Sequence, residues 1–198
     1  MLSKESTITR RVKDAVAAVQ AAGVYVTIAT GRMFSSAVRF ARELGLKAPL
    51  ITYQGALVKD HISGRVLRYL PLPLVYARDI VARVKPLGYH INGYLGDRLV
   101  VEEVNEIGRR YAARNGVDME VVGDFNKYFQ EDPTKLVVIA EEEQVTELID
   151  KLLPVYRGKV HLSKSLPGFL EFSHPLATKG QALAYLAGYL KVPQAGVM

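Results

Sequence analysis

Val24-Tyr25-Val26-Thr27-Ile28-Ala29-Thr30-Gly31-Arg32 is a short, nearly continuous apolar run that breaks off at a hydroxyl, a glycine and a cation. Runs of this kind, rich in β-branched residues, suit a strand covered on both faces, as in a parallel sheet. On its N-terminal side, Val12, Ala15, Val16 and Val19 recur at helical spacing over 8–22, with Thr7 placed to cap the start and Gly23 to stop it. On its other side, Phe34, Ala37, Val38, Ala41 and Leu44 form one stripe of a second helix that stops at Gly45. Residues 49–53 read as the next strand, ending at Gln54-Gly55. Helix, strand, helix, strand predicts an α/β layer with right-handed crossovers.

After Gly55 the texture changes. Residues 56–59 and 65–70 flank Ser63-Gly64 as a hairpin, a helix is expected over 73–87, and 89–94 with 98–102 form a second hairpin around Gly96-Asp97. A polar helix follows over 103–115, then a strand at 135–140 and a helix at 141–153 whose acidic first turn suits its dipole. Residues 159–165 and 169–173 pair around Pro167-Gly168. The last helix spans 178–190, with Thr178 as its cap, and an apolar strand begins at Val197-Met198. The resulting fold class is α/β: a partial Rossmann-like parallel-sheet core from 1–56 and 174–198, interrupted by an inserted α+β unit over 57–173.

The 198 residues, 49% of them hydrophobic and 23% charged, suffice for one sizeable core or two small ones and argue against disorder. The lack of cysteine removes disulfides, thiolate metal sites and cysteine nucleophiles together. No apolar signal segment opens the chain and no run of about 18 apolar residues occurs, so a cytoplasmic protein without a membrane span is expected. The net charge of +6 is spread along the chain rather than clustered, which weighs against nucleic acid and leaves solvated helix faces, or a field gathering small anions, as its meaning.

Two places carry chemistry. Thr30-Gly31-Arg32 ends a buried strand just before a helix, where ligands of open α/β sheets bind and where backbone N–H groups favour anions. Thr30 can donate to a phosphoryl oxygen and Arg32 can add charge; spacing alone is equally served by an ordinary strand-to-helix turn with a capping Thr. At Thr178-Lys179-Gly180, a cation in a first helical turn opposes the dipole preference unless it faces an anion. An exposed Lys on a solvated helix is the plainer alternative.

Ile28-Ala29-Thr30-Gly31-Arg32, Leu50-Ile51-Thr52-Tyr53-Gln54-Gly55-Ala56 and Leu170-Glu171-Phe172 leading to Lys179-Gly180-Gln181-Ala182-Leu183 occur in an order and at separations that together resemble the Cof-type capped phosphatases of the haloacid-dehalogenase superfamily. The insertion sits where that family keeps its substrate-selecting cap. The resemblance implies hydrolysis of small phosphorylated metabolites, sugar phosphates foremost, through an aspartyl-phosphate with Mg²⁺. Lys179 falls on the family's catalytic Lys and Thr30 on its phosphate-binding Thr, with Gly31, Arg32 and Gly55 beside the substrate.

The departures are as informative. The family opens with Asp-x-Asp-Gly-Thr, and Met1-Leu2-Ser3 begins just past it; a Gly-Asp-x-x-x-Asp metal loop is expected beyond Met198. Gln54 stands where Asn is usual. The expectation is a truncated chain without metal ligands that does not form a phosphoenzyme. Asp14, Asp60, Asp97, Asp124 and Asp132 lie away from the carboxyl ends of core strands, and His61, His90, His161 and His174 show no ligand spacing. The alternative function is a non-catalytic protein that binds a phosphorylated ligand or a partner through the cap. Lacking a neighbour, the 24–29 strand is expected to recruit a second copy, a rearranged segment or a companion fragment.

Overall fold

The structure, a computed structural model, describes residues 7–198; Met1-Leu2-Ser3, on which the expectation of a missing first motif rests, lies outside the described residues. In chain order the elements are α1 (Arg10–Ala21), α2 (Phe34–Glu43), β1 (Leu50–Thr52), β2 (Leu57–Lys59), β3 (Val66–Tyr69), α3 (Leu74–Val84), β4 (His90–Leu95), β5 (Arg98–Val101), α4 (Glu106–Asn115), β6 (Met119–Val121), α5 (Phe125–Tyr128), β7 (Lys135–Ile139), α6 (Glu142–Tyr156), β8 (His161–Leu166), β9 (Phe169–Ser173) and α7 (Lys179–Tyr189). They form two compact units. One runs to Tyr69 and resumes over Lys179–Met198; the other is Leu70–Thr178.

The first unit is built outward from β1. Leu50 faces a cluster with Ile8, Phe40, Ala41 and Leu44, against which Val12 and Val16 of α1 also pack. Its neighbour Ile51 points the other way, to Val58, Ala182 and Leu186. The alternation of a strand thus puts α1 and α2 on one face and α7 on the other. The helix start differs from the sequence expectation. Thr9 rather than Thr7 caps α1, its Oγ1 accepting the Val12 N–H at 3.4 Å, because buried Ile8 holds the chain in the core one residue before the turn begins.

The expected 24–29 strand is realised only at its end, as a parallel bridge between Ala29 and Ile51. Thr30 N–H donates to Ile51 O and Ile51 N–H to Ile28 O, each at 2.9 Å. The next ladder bond would run from Ile28 N–H to Pro49 O, and the one beyond it would need an amide at position 49. Pro49 has none, and its carbonyl instead accepts the Thr27 hydroxyl at 2.6 Å. The ladder therefore stops, and Val24 and Tyr25 remain exposed. Ile28 and Thr30 use their backbone toward β1, and the backbones of Tyr25, Thr27 and Ala29 have no partner among the described residues. A groove of about 610 Å³, lined among others by Val16, Val19, Leu183 and Leu190, runs along this segment.

The hairpin β2–β3, read from sequence as the start of the insertion, belongs with the first unit. β2 pairs antiparallel with β1 and β3 with β2, giving a sheet in the order β1-β2-β3. The Tyr185 hydroxyl of α7 donates to Leu67 O at 2.6 Å and ties β3 down further. The division accordingly falls between Tyr69 and Leu70, and at its other end between Thr178 and Lys179, rather than at 56/57 and 173/174.

The second unit is a six-stranded sheet in the order β6-β5-β4-β7-β9-β8, antiparallel except for the parallel β5–β6 pair. One face, with Ile91, Leu136, Val138, Leu170 and Phe172, packs on α3 and α6. On the other face α4 is joined by a Tyr94–Tyr111 hydroxyl bond of 2.6 Å and by the Tyr111 ring against Phe169. Here Lys135 and Glu171, 3% and 8% exposed, form a 2.7 Å ion pair across β7 and β9. The stretch 117–134, which shows no periodicity, contributes the three-residue β6 and the single-turn α5, capped by Asp124. The helix expected over 73–87 ends at Val84, and Lys85–Leu87, with Pro86 inside it, tightens to a 3₁₀ turn.

Candidate functional site

The Thr30-Gly31-Arg32 segment leaves the bridge at Ala29 and is bonded backbone to backbone to the turn that follows β1. Gln54 N–H donates to Thr30 O and Tyr53 N–H to Arg32 O, both at 3.0 Å. Tyr53, Gln54 and Gly55 all adopt positive φ, at 52°, 58° and 106°. Only the glycine does so without steric cost, so the turn holds two residues in a conformation that local preference opposes. Gly31 does not share this conformation, yet it too has a reason to be glycine. A Cβ on it would lie 2.7 Å from Gln54 Nε2 and 2.9 Å from Gln54 Cδ. The carboxamide of Gln54 rests on the Cα of Gly31.

Within the segment, Thr30 Oγ1 accepts the Arg32 N–H at 3.2 Å. That contact uses a lone pair and leaves the hydroxyl proton to be donated elsewhere. The Arg32 guanidinium turns back onto α2, its Nη1 donating to Ser36 Oγ at 3.4 Å and its centre 5.7 Å from the Phe40 ring centroid. Its head group thus has partners on α2. A pocket of about 180 Å³ lined by Ile28, Thr30, Arg32, Ala37 and Phe40 opens under the segment, and its walls are almost wholly apolar.

Lys179 is the first residue of α7 and is exposed. The helix packs across Tyr53–Gly55 and β1, with Ala182 and Leu186 buried against Ile51. The helix that begins with Lys179 and the segment carrying Thr30 therefore meet on one turn. Gly55 lies buried within it.

The other carboxylates noted in the sequence are engaged in local structure. Asp14 pairs with Arg10 one turn back at 3.2 Å. Asp60 accepts from Ile62 N–H, Ser63 N–H and the Ser63 hydroxyl, bonds that hold its carboxyl below the usual carboxylate range. Asp124 caps α5, and Asp132 accepts the Leu74 N–H at 2.7 Å. His174 Nδ1 accepts the Leu176 N–H, and His61 Nε2 lies 3.0 Å from Leu46 O. Among the described residues, no grouping of three or more His, Cys, Asp or Glu could hold the magnesium ion that the resemblance implies. No helix among them is long and apolar enough to cross a membrane. Sequence reasoning named Gln54 only as a departure from a pattern; its role in covering Gly31 depends on a backbone conformation that no residue pattern announces.

An α/β unit whose strand-to-helix Thr-Gly-Arg segment is bonded to the next strand's turn, and whose chain is interrupted by a separate α+β unit, has the architecture of a capped hydrolase. The model of the haloacid dehalogenase-like hydrolases matches residues 1–198, and the chain belongs to that family. It is 28% identical over 207 residues to the Bacillus subtilis protein YxeH, a match covering 100% of this chain and 75% of the relative. A haloacid dehalogenase-like hydrolase from Bacteroides thetaiotaomicron superposes with a TM-score of 0.87 at 19% identity, over 96% of this chain and 73% of the other. The sugar phosphatase BT4131, of subclass IIB, does so with a TM-score of 0.82 at 16% identity, over 98% and 74%. At those identities the two structures speak to the fold.

Proposed function

We propose that the chain recognises the phosphoryl group of small phosphorylated metabolites, sugar phosphates foremost, at the segment formed by Thr30, Gly31 and Arg32 together with Gly55 and Lys179. The observation that carries this reading is the pair of 3.0 Å backbone bonds by which Tyr53 and Gln54 fix the Thr30–Arg32 segment on the turn against which α7 packs. A phosphoryl dianion there receives the Thr30 hydroxyl proton, the Lys179 ammonium and the positive end of the α7 dipole. Arg32, held on α2, raises the local potential without committing its fork. The sugar preference is supported by BT4131, which its description calls a sugar phosphatase.

Hydrolysis by the family's route requires an aspartate nucleophile. No Asp-x-Asp pair occurs in these 198 residues, and Asp14, Asp60, Asp124 and Asp132 each hold a local bond. The chain as it stands is therefore proposed to bind without turnover, an alternative in function class to a competent phosphatase. Inorganic phosphate titrated calorimetrically into the 198-residue chain gives the test. Thr30→Val, which removes the hydroxyl at constant shape, is expected to weaken binding roughly tenfold to a hundredfold, as loss of one hydrogen bond to a charged group does. Lys179→Ala is expected to weaken it at least as much. Unchanged affinity in both variants would end the phosphoryl reading. Turnover of p-nitrophenyl phosphate with Mg²⁺, lost in Lys179→Ala, would overturn only the claim of binding without catalysis.

A further inference from the structure

Gln54 combines three features that none of the roles above uses. Its backbone is held at φ 58°, between Tyr53 and Gly55, both also at positive φ. Its carboxamide lies against Gly31, close enough that a single methyl group there would meet Nε2 at 2.7 Å. And although the residue is half-buried, its side chain makes no hydrogen bond to any other described residue. A turn-forming glutamine with no ligand to serve would ordinarily extend into solvent, where its entropy is retained. A half-buried amide set against the Thr30–Arg32 segment instead holds a donor that no described residue uses.

We infer that Gln54 is a ligand-contacting residue of the phosphoryl site, its Nε2 donating to an anion seated on the Thr30–Arg32 segment. The inference rests on the phosphoryl reading and adds to it a neutral donor. The strained backbone is what makes the contact possible. With φ positive, the N–H of residue 54 turns back to Thr30 O while the side chain folds forward over Gly31. A residue in ordinary β or α geometry could not serve both directions from one Cα. The absence of Cβ at 31 supplies the space for the amide. The carboxamide also offers Oε1 as an acceptor beside its donor. The group therefore suits an ester whose alcohol side carries a hydroxyl near the phosphorus, as a polyol phosphate does.

The probe is inorganic phosphate, followed by calorimetry and by ¹⁵N shifts of the Gln54 side-chain amide and of the Thr30, Gly31 and Arg32 backbone. In the parent chain the Gln54 Nε2 resonance is expected to move on titration along with the backbone signals. Gln54→Ala should raise Kd about fivefold. Gln54→Glu, equal in size but anionic, should raise it at least about twentyfold at pH 8 through like-charge repulsion. The ratio between Gln54→Glu and parent should narrow as pH falls and the new carboxyl takes a proton, an effect that a purely structural role for residue 54 would not produce. Backbone shifts without any response of the Gln54 amide, or equal affinity in parent and Gln54→Glu, would overturn this inference and leave the phosphoryl reading standing. Absence of phosphate binding by the parent chain would overturn both.

Discussion

Lys135→Met breaks the buried ion pair on the second unit's sheet. Nζ and Glu171 Oε2 are 2.7 Å apart, with the side chains 3% and 8% exposed. At an effective dielectric of about 20 their attraction is roughly 6 kcal/mol, offset by a desolvation cost of several kcal/mol for each ion. The pair is therefore close to neutral relative to an apolar pair of equal volume, but its halves are not. Removing the ammonium leaves the Glu171 carboxylate facing the Tyr94–Tyr111 side of the sheet without its cation, and such losses cost about 3–5 kcal/mol. Lys135→Met with Glu171→Leu should recover all but about 1 kcal/mol of that. Native-state hydrogen exchange at Leu136–Val138 reads the effect directly, because β7 is hydrogen-bonded on both sides, to β4 and β9. A cost under about 1 kcal/mol at pH 7.5, or a double variant no better than the single one, would refute the assignment of a dry, mutually dependent pair.

Gly31→Ala is expected to cost no more than about 1 kcal/mol of stability, because the atoms it meets are the free end of a side chain. It should nonetheless weaken phosphate binding by displacing the Gln54 amide, and a large loss of stability with affinity retained would contradict that. Gln54→Gly should raise the melting temperature by a degree or more by relieving the left-handed backbone, while phosphate affinity falls; a lowered melting temperature would show that the turn is not strained there. Burial holds His90 below its ordinary value of 6.5, so as pH falls below that value the unfolded chain takes up a proton that the folded chain refuses, and stability declines. His90→Gln should flatten urea midpoints between about pH 6.5 and 5, and an unchanged slope would assign the dependence elsewhere. If the backbone edge at Tyr25, Thr27 and Ala29, which has no partner among the described residues, is free in solution, sedimentation equilibrium is expected to show concentration-dependent association that Tyr25→Lys suppresses; a monomer at every concentration would count against a sticky edge.

What the residues disclosed in advance was the layer order and the position of most elements. β7, α6 and the β8–β9 hairpin have strong local patterns, and each lies within a few residues of its expected bounds. Capping followed tertiary context instead: burial of Ile8 moved the start of α1 from Thr7 to Thr9. The 24–29 segment misled because its apolar run reports burial and not pairing, and the pairing was set by a proline 20 residues further on that lacks the necessary N–H. β6 was invisible for a related reason. Its three residues, Met119–Val121, have no period of their own and become a strand only because β5 offers an edge. For the proposed site, motif and dipole arguments single out Thr30 and Lys179. The covering of Gly31 by Gln54 could not, since it follows from two consecutive left-handed residues of types that seldom adopt that conformation.

That pairing of strain with site chemistry bears on how the segment is held. Each non-glycine residue in the left-handed region costs on the order of 1 kcal/mol, so Tyr53 and Gln54 together oppose the turn by roughly 2 kcal/mol. Two backbone bonds to Thr30 and Arg32, at about 1 kcal/mol each, offset nearly the whole of it. The strained turn and the Thr-Gly-Arg segment are therefore not independently stable pieces that happen to touch. Each exists in its observed form because the other is present. A substitution that breaks either bond releases the strain of the turn at the same time, so the segment loses its scaffold cooperatively and not by degrees. The proposed anion site is preorganised for the same reason. The donors are fixed before a ligand arrives, and the cost of fixing them is met within the fold and not by the binding energy.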